Sequence, residues 1–208
     1  MRLLCFSDLH CNQDAARSLV KQADGVDVVI GAGDFANQHR GLELTLDILS
    51  EITTPTVLVP GNGETVDALR AATKHWHSAT VLHGDGCQID GIDFWGVGGG
   101  IPVTPFGAWS YDFTDQEATS MLADCPANGV LVVHSPPLDT VDKDSSNRVR
   151  GSQAIRDCVL AKQPKLVVCG HIHSDWEKQM DLESSRILNA GPNGVIMEIE
   201  FESNIQAH

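Results

Sequence analysis

The first ten residues, Met1-Arg-Leu-Leu-Cys-Phe-Ser-Asp-Leu-His10, set an apolar run, Leu3–Phe6, directly against the polar residues Ser7, Asp8 and His10. A short apolar run bounded by polar residues has the length of a buried strand. The stretch that follows, Gln13–Ala23, carries Ala16, Leu19, Val20 and Ala23 on one helical face. The order is then strand, polar loop, helix, and it repeats. Val26–Ile30 is a β-branched run closed by Gly31-Ala-Gly33, followed by an amphipathic helix over Gly41–Ile52. The strand Thr56–Val59 leads into Pro60-Gly61-Asn62-Gly63 and a helix over Glu64–Lys74. Such a βαβαβα succession predicts a largely parallel sheet buried on both faces.

The middle of the chain changes character. Val81–Leu82, Cys87–Ile89 and Ile92–Val97 read as short hairpin-like strands, and Gly98–Trp109 as an irregular loop rich in Gly, Pro and aromatic residues. A helix is expected over Thr114–Ala123, with Thr114 and Glu117 spaced as a capping box. The alternation then resumes with the strand Gly129–Val133, the helix Gln153–Ala161 and the strand Lys165–Cys169. Asp175–Met180, Arg186–Ala190 and Gly194–Phe201 read as a strand meander. No repeat or linker interrupts residues 1–208, so one domain is expected: an α/β, four-layer α/β/β/α sandwich of two mixed sheets flanked by helices.

Composition narrows the partners. The 208 residues carry a formal net charge of −14, with 42% hydrophobic and 20% charged residues. That balance argues against nucleic acid or an anionic membrane as a stable partner. No apolar run is long enough to span a bilayer. The start turns polar too soon for a secretory signal, so a cytoplasmic protein is expected. The six cysteines form no CxxC pair, and no disulfide is expected. Cys5, Cys158 and Cys169 read as small buried hydrophobes. The sequence leaves the oligomeric state open, a homo-oligomer included.

Metal-ligating side chains collect where strands should end. Asp8 and His10 follow the first strand, Asp34 the second, Asn62 the third, His134 the strand Gly129–Val133, and His171 and His173 the strand Lys165–Cys169. Loops after the carboxyl ends of parallel strands share one rim, so these residues are expected to converge. Taken singly, Asp8 reads equally as a helix cap, and Asn62-Gly63 as a tight turn. Taken together, carboxylate, imidazole and amide oxygen suit Mn, Fe, Zn or a similar divalent ion, whereas structural zinc sites favour thiolates. Seven ligands are too many for one ion and fill two ions that share a carboxylate. Two metals about 3.5–4 Å apart can activate a bridging hydroxide and clamp phosphoryl oxygens.

The segments Asp8-Leu-His10, Gly33-Asp34, Gly61-Asn62, His134 and Gly170-His171-Ile-His173 resemble, in content and order, the signature of the calcineurin-like metallophosphoesterase family. The resemblance implies a dinuclear phosphoesterase. One metal would be held by Asp8, His10 and His173 and the other by Asn62, His134 and His171, with Asp34 between them. The nucleophile would be a metal-bridging hydroxide, and Asn62 would also orient the phosphate. Family members often carry His after the Asn, where it stabilises the transition state or protonates the leaving group. Here Gly63 stands in its place, followed by Glu64. His39, Glu64 and Arg148 are candidates to substitute, and His39 and Arg148 are also the candidate substrate contacts. His134-Ser-Pro-Pro137, Gly151-Ser152, Asn189-Ala-Gly191 and the Gly98–Gly107 region resemble a compact subgroup, which implies a small phosphodiester or phosphomonoester rather than a protein as substrate. Some relatives use the fold as a protein-interaction scaffold without catalysis, but such a scaffold has no need of all seven ligands.

The other polar residues read more plainly. His75, His77, His83 and His208 are expected at the surface. Cys11, where the family often has Gly, reads as inert or supporting. Phe106 and Trp109 suit a substrate wall and an oligomer contact equally.

Overall fold

The computed structural model describes residues 1–201. Eleven strands and five helices are found there, in two sheets. The first sheet is built from β1 (Arg2–Phe6), β2 (Val28–Gly31), β3 (Thr56–Leu58) and β4 (Ala79–Val81), all parallel, with β11 (Val195–Glu198) antiparallel against β1. In the second, β6 (Ile92–Val97), β7 (Val130–Val133), β8 (Leu166–Cys169) and β10 (Ser185–Asn189) are parallel. The antiparallel strands β5 (Asp85–Ile89) and β9 (Gln179–Leu182) close its edges.

The layers follow from the period of two along each strand. In β1 and β2, Leu3, Cys5, Val28 and Ile30 face the second sheet and pack with Phe94, Val130, Val132, Leu166, Val168 and Leu188. The alternate residues Leu4, Phe6 and Val29 face outward, onto α1 (Gln13–Gln22), α2 (Leu42–Leu49) and α3 (Val66–Ala72). On the far side, Val97, Leu131, Val133, Val167, Cys169 and Ile187 meet α4 (Asp115–Leu122) and α5 (Gln153–Lys162). The result is the expected helix–sheet–sheet–helix sandwich. α1, α3, α4 and α5 each start at a residue whose side chain accepts a main-chain N–H, namely Asn12, Thr65, Thr114 and Ser152. At Thr114 the reciprocal bond from Glu117 completes the capping box.

Three readings of the sequence need correction. The strand near Val81 does not pair with the β5–β6 hairpin. It extends the parallel sheet beside β3, because its apolar side chains pack against the first core. The last three strands are not a meander. β9 and β10 pair with each other, while β11 crosses to the other sheet and covers the free edge of β1. Residues 175–180 do not form one strand, since His173–Asp175 is a 3₁₀ turn and β9 begins at Gln179. His208 lies outside the described residues. His75 and His77 are exposed. His83, by contrast, is half-buried: its Nδ1 accepts the Gly98 N–H at 3.1 Å, and its ring packs on Tyr111 and Phe113. All six cysteines are unpaired.

Phe94 is fully buried between the sheets. Phe94→Ala is expected to lower unfolding free energy by about 3–5 kcal/mol. Leu44→Ala, at a position 51% exposed on α2, should change it by no more than about 0.5 kcal/mol. Urea denaturation of the two variants checks the difference.

Candidate metal centre

The carboxyl ends of β1, β2, β3, β7 and β8 meet on one rim, where main-chain bonds tie neighbouring loops of the same sheet together. Asp8 N–H donates to the Gly33 carbonyl (2.9 Å), His10 N–H to Asp34 (2.9 Å) and Gly170 N–H to His134 (2.9 Å). His134, fully buried at the end of β7, has Nδ1 2.7 Å from the Ala32 carbonyl after β2. That bond places the Nδ1 proton and leaves Nε2 as the lone-pair nitrogen facing the rim.

Around this rim the seven predicted residues stand together. Donor atoms of Asp8, His10 and His173 lie within 4.8 Å of one another, as do those of Asp8, Asp34 and His134. His10 Nε2 and His173 Nε2 are 3.2 Å apart. Asn62 Oδ1 lies 3.3 Å from His134 Nε2 and 3.1 Å from His171 Nδ1. Asp34 reaches both groups, with Oδ2 3.5 Å from His10 Nε2 and Oδ1 3.6 Å from His134 Nε2.

Local backbone explains how short loops aim so many side chains inward. Asp8, His10, Asp34 and His171 all adopt positive φ (54°, 43°, 58° and 68°). Non-glycine residues seldom take up this conformation, and it concentrates at functional sites. Glycines supply the clearance. A Cβ on Gly61 would stand 2.1 Å from Asp34 Oδ1, and one on Gly170 would stand 2.5 Å from Asp8 Oδ2. The glycine preceding Asn62 and the one preceding His171 are therefore steric requirements of the carboxylates beside them.

The carboxylates are held by their own partners. Asp8 accepts Ser7 Oγ–H (2.5 Å), Trp176 Nε1–H (3.0 Å) and the His171 N–H (3.0 and 3.1 Å). Asp34 Oδ1 accepts the Gly63 N–H at 2.7 Å. Glu64 is 1% exposed, and its carboxylate accepts three main-chain N–H groups, from Asp34 (2.9 Å), Ala36 (2.9 Å) and Gly61 (2.6 Å). Glu64 is thus a structural clamp on the two loops that carry Asp34 and Asn62.

Titration behaviour reflects the crowding. Burial and the neighbouring imidazoles push His171 down to about 3, keeping it a neutral lone-pair donor. At His134 burial acts downward, but the carboxylates of Asp34 and Asp8 outweigh it and raise the pKa. Buried carboxylates thus draw positive charge into a cluster whose imidazoles cannot all be protonated. Divalent cations satisfy both demands, and the oxygen and nitrogen donor set suits them.

Two residues absent from the sequence reading also belong to this arrangement. Asn62 Nδ2 donates to Ser110 Oγ (2.9 Å), and Ser110 Oγ–H donates to Asp112 Oδ1 (2.7 Å). Asp112 is fixed in turn by Thr104 N–H (2.8 Å) and Oγ1–H (2.6 Å). With its amide nitrogen so occupied, Asn62 turns Oδ1 toward His134 and His171. Nothing in the residue types marks Ser110. The only signal was its place beside the irregular loop rich in Gly, Pro and aromatic residues.

Of the two candidate substrate contacts, His39 stands beside the position that lacks histidine. Its N–H donates to the Gly63 carbonyl at 2.7 Å, and its exposed ring meets the Trp109 carbonyl through Nε2. Arg148 is exposed in the turn whose main chain bonds Asp144. It does not line the cleft of about 470 Å³ that adjoins His171 and His173, whereas Arg150 does. Cys11 is half-buried at φ 65°, which accounts for a glycine preference there, and its thiol donates to the Arg40 carbonyl.

The fold and this donor set define a metal-dependent phosphoesterase. The chain belongs to the calcineurin-like phosphoesterase family, which it matches over residues 1–175. Among solved structures it is similar to TT1561 of Thermus thermophilus, with 20% identity and a TM-score of 0.73 over 92% of this chain and 90% of that one. It is also similar to the phosphopantetheinyl hydrolase of Mycobacterium tuberculosis, at 16% identity and a TM-score of 0.61 over 91% and 88%. A dimetal phosphatase from Danio rerio gives 11% and 0.60 over 92% and 88%. At these identities the similarity establishes the shared fold. No curated protein matches the chain.

Ser110→Ala frees the Asn62 amide. It is expected to weaken Mn²⁺ binding by about 10- to 100-fold while leaving circular dichroism unchanged. Calorimetric titration of the variant against the unmodified protein checks this.

Proposed function

We propose that the protein hydrolyses a small phosphoester, a phosphodiester ahead of a phosphomonoester, using two divalent cations, with manganese the first choice. In this reading Asp8, His10 and His173 hold one cation, Asn62, His134 and His171 hold the other, and Asp34 serves both. The observation that carries it is the Asp34 carboxylate, which offers Oδ2 to the His10 side and Oδ1 to the His134 side. When bound, the cations supply Lewis-acid stabilisation of phosphoryl charge and lower the pKa of the attacking water.

The chain's own residues do the remaining work. Asn62, braced by Ser110, orients a phosphoryl oxygen. His171 stays neutral through burial and the charge of its neighbours. Gly63 brings no proton donor to its position, and a Cβ there would stand 3.1 Å from both Ala36 O and Asp34 Oδ1. His39, held on the Gly63 carbonyl, is assigned to the substrate side. The preference for a diester follows from charge. In the lining of the adjoining cleft Arg150 is the one Lys or Arg, and it is tied to Asp144 at 2.8 Å. No unpaired Lys or Arg there meets the second negative charge of a monoester dianion, which supports a diester monoanion.

Purified protein with added Mn²⁺ is expected to hydrolyse a bis-aryl phosphodiester. Asp34→Ala and His171→Ala should each reduce turnover to that of the metal-free protein. Metal-dependent hydrolysis persisting in both variants would sink the assignment.

A further inference from the structure

Seven large hydrophobic side chains are exposed among the described residues, and three of them, Val103 (58%), Phe106 (50%) and Val149 (44%), line a single cleft. Isolated exposed apolar residues need no explanation, but three gathered in one concavity mark a binding surface. The cleft has a volume of about 470 Å³ and lies between the loop 102–106 and the turn 144–151. This is within the range of small-molecule sites. His171, Ile172 and His173 form part of its lining, so it opens onto the candidate metal cluster.

Its wall has a defined orientation. The Phe106 ring stacks on Trp109, with centroids 5.7 Å apart and planes 9° from parallel. The same ring meets His171 edge-on at 6.4 Å. The Phe106 ring therefore stands in the cleft beside the cluster, backed by Trp109. The charge of the lining is balanced, because Asp144 and Arg150 are both present and are paired with each other. A ligand extending from the cluster would meet apolar walls and a neutral ion pair. A polyphosphate tail would find no unpaired Lys or Arg in that lining.

We propose that this cleft receives the ester group of the substrate, and that the group it selects is flat, uncharged and largely apolar: an aryl or heteroaryl ring system. The proposal rests on the phosphoesterase reading above. Phe106 supplies the stacking face and Val149 the opposite apolar contact. Phosphorus at the cluster and a ring in the cleft are compatible because His171 belongs to both. Phe106 is accordingly assigned to a substrate wall rather than to a contact between subunits, with Trp109 backing its ring.

The test compares inhibitors that share a head group. Phenylphosphonate and methylphosphonate are titrated against Mn²⁺-supported hydrolysis of a bis-aryl phosphodiester. The unmodified protein is expected to bind the phenyl compound at least about tenfold more tightly. Phe106→Ala and, separately, Val149→Ser should each lower that preference about three- to tenfold. Both side chains are exposed on loops, so neither change threatens folding. Leu44→Ala, on α2 outside the cleft, should keep the preference. Equal inhibition by the two phosphonates, or a preference unchanged in both cleft variants, would overturn the subsite and leave the phosphoesterase reading standing. Failure of the unmodified protein to hydrolyse any ester would overturn that reading and this one with it.

Discussion

The carboxylate of Glu64 sits in the interior with three main-chain N–H groups pointed at it, from Asp34, Ala36 and Gly61. Without it, the loops after β2 and β3 would bury unpartnered donors, each costing about 1–3 kcal/mol. With it, both loops are held at fixed separation, and Gly61 passes the Asp34 carboxylate so closely that no side chain fits. Burial and the Asp34 charge push the Glu64 carboxyl up to about 7, while the main-chain donors pull against them. An acid is held there despite that opposition because its two oxygens satisfy three donors at once. An amide at the same place has a single carbonyl oxygen and would turn its NH₂ toward an N–H.

From that clamp the rest of the rim follows. Asp34 extends one oxygen to each side, and Gly63 N–H fixes one of those oxygens. The Ala32 carbonyl sets the tautomer of His134 across the gap between the two sheets. Asp8 is braced by Ser7, Trp176 and the His171 main chain. Positive φ at four of the seven residues shows that the loops are over-determined by their surroundings, as expected where geometry is maintained for binding. The site joins two sheets because each sheet supplies one part of it: β1, β2 and β3 from one, β7 and β8 from the other.

Much of this was legible in the sequence because the informative residues were local. The apolar runs that end in Asp8, Asp34, Asn62, His134 and His171 each carry both strand and site within a few positions. A period of two in β1 and β2, and helical spacing in α1, sorted residues among layers without knowledge of pairing. What remained hidden depended on distance along the chain. Ser110 reaches Asn62 from 48 positions away and Trp176 reaches Asp8 from 168, and both are ordinary residue types. The pairing of β11 with β1 is likewise a choice of edge that no short window records. Arg148 and Arg150 carry the same side chain two positions apart, and only the turn around Asp144 decides that Arg150 lines the cleft. The half-buried state of His83 depends on Tyr111 and Phe113, 28 and 30 positions further on.

The central claim is a pair of cations sharing Asp34, and direct counting tests it best. Metal-free protein equilibrated with Mn²⁺ and freed of excess by gel filtration should retain two ions per chain by elemental analysis. Asp34→Asn should retain fewer than two. One ion or none on the unmodified chain, or two retained undiminished by Asp34→Asn, would contradict the account.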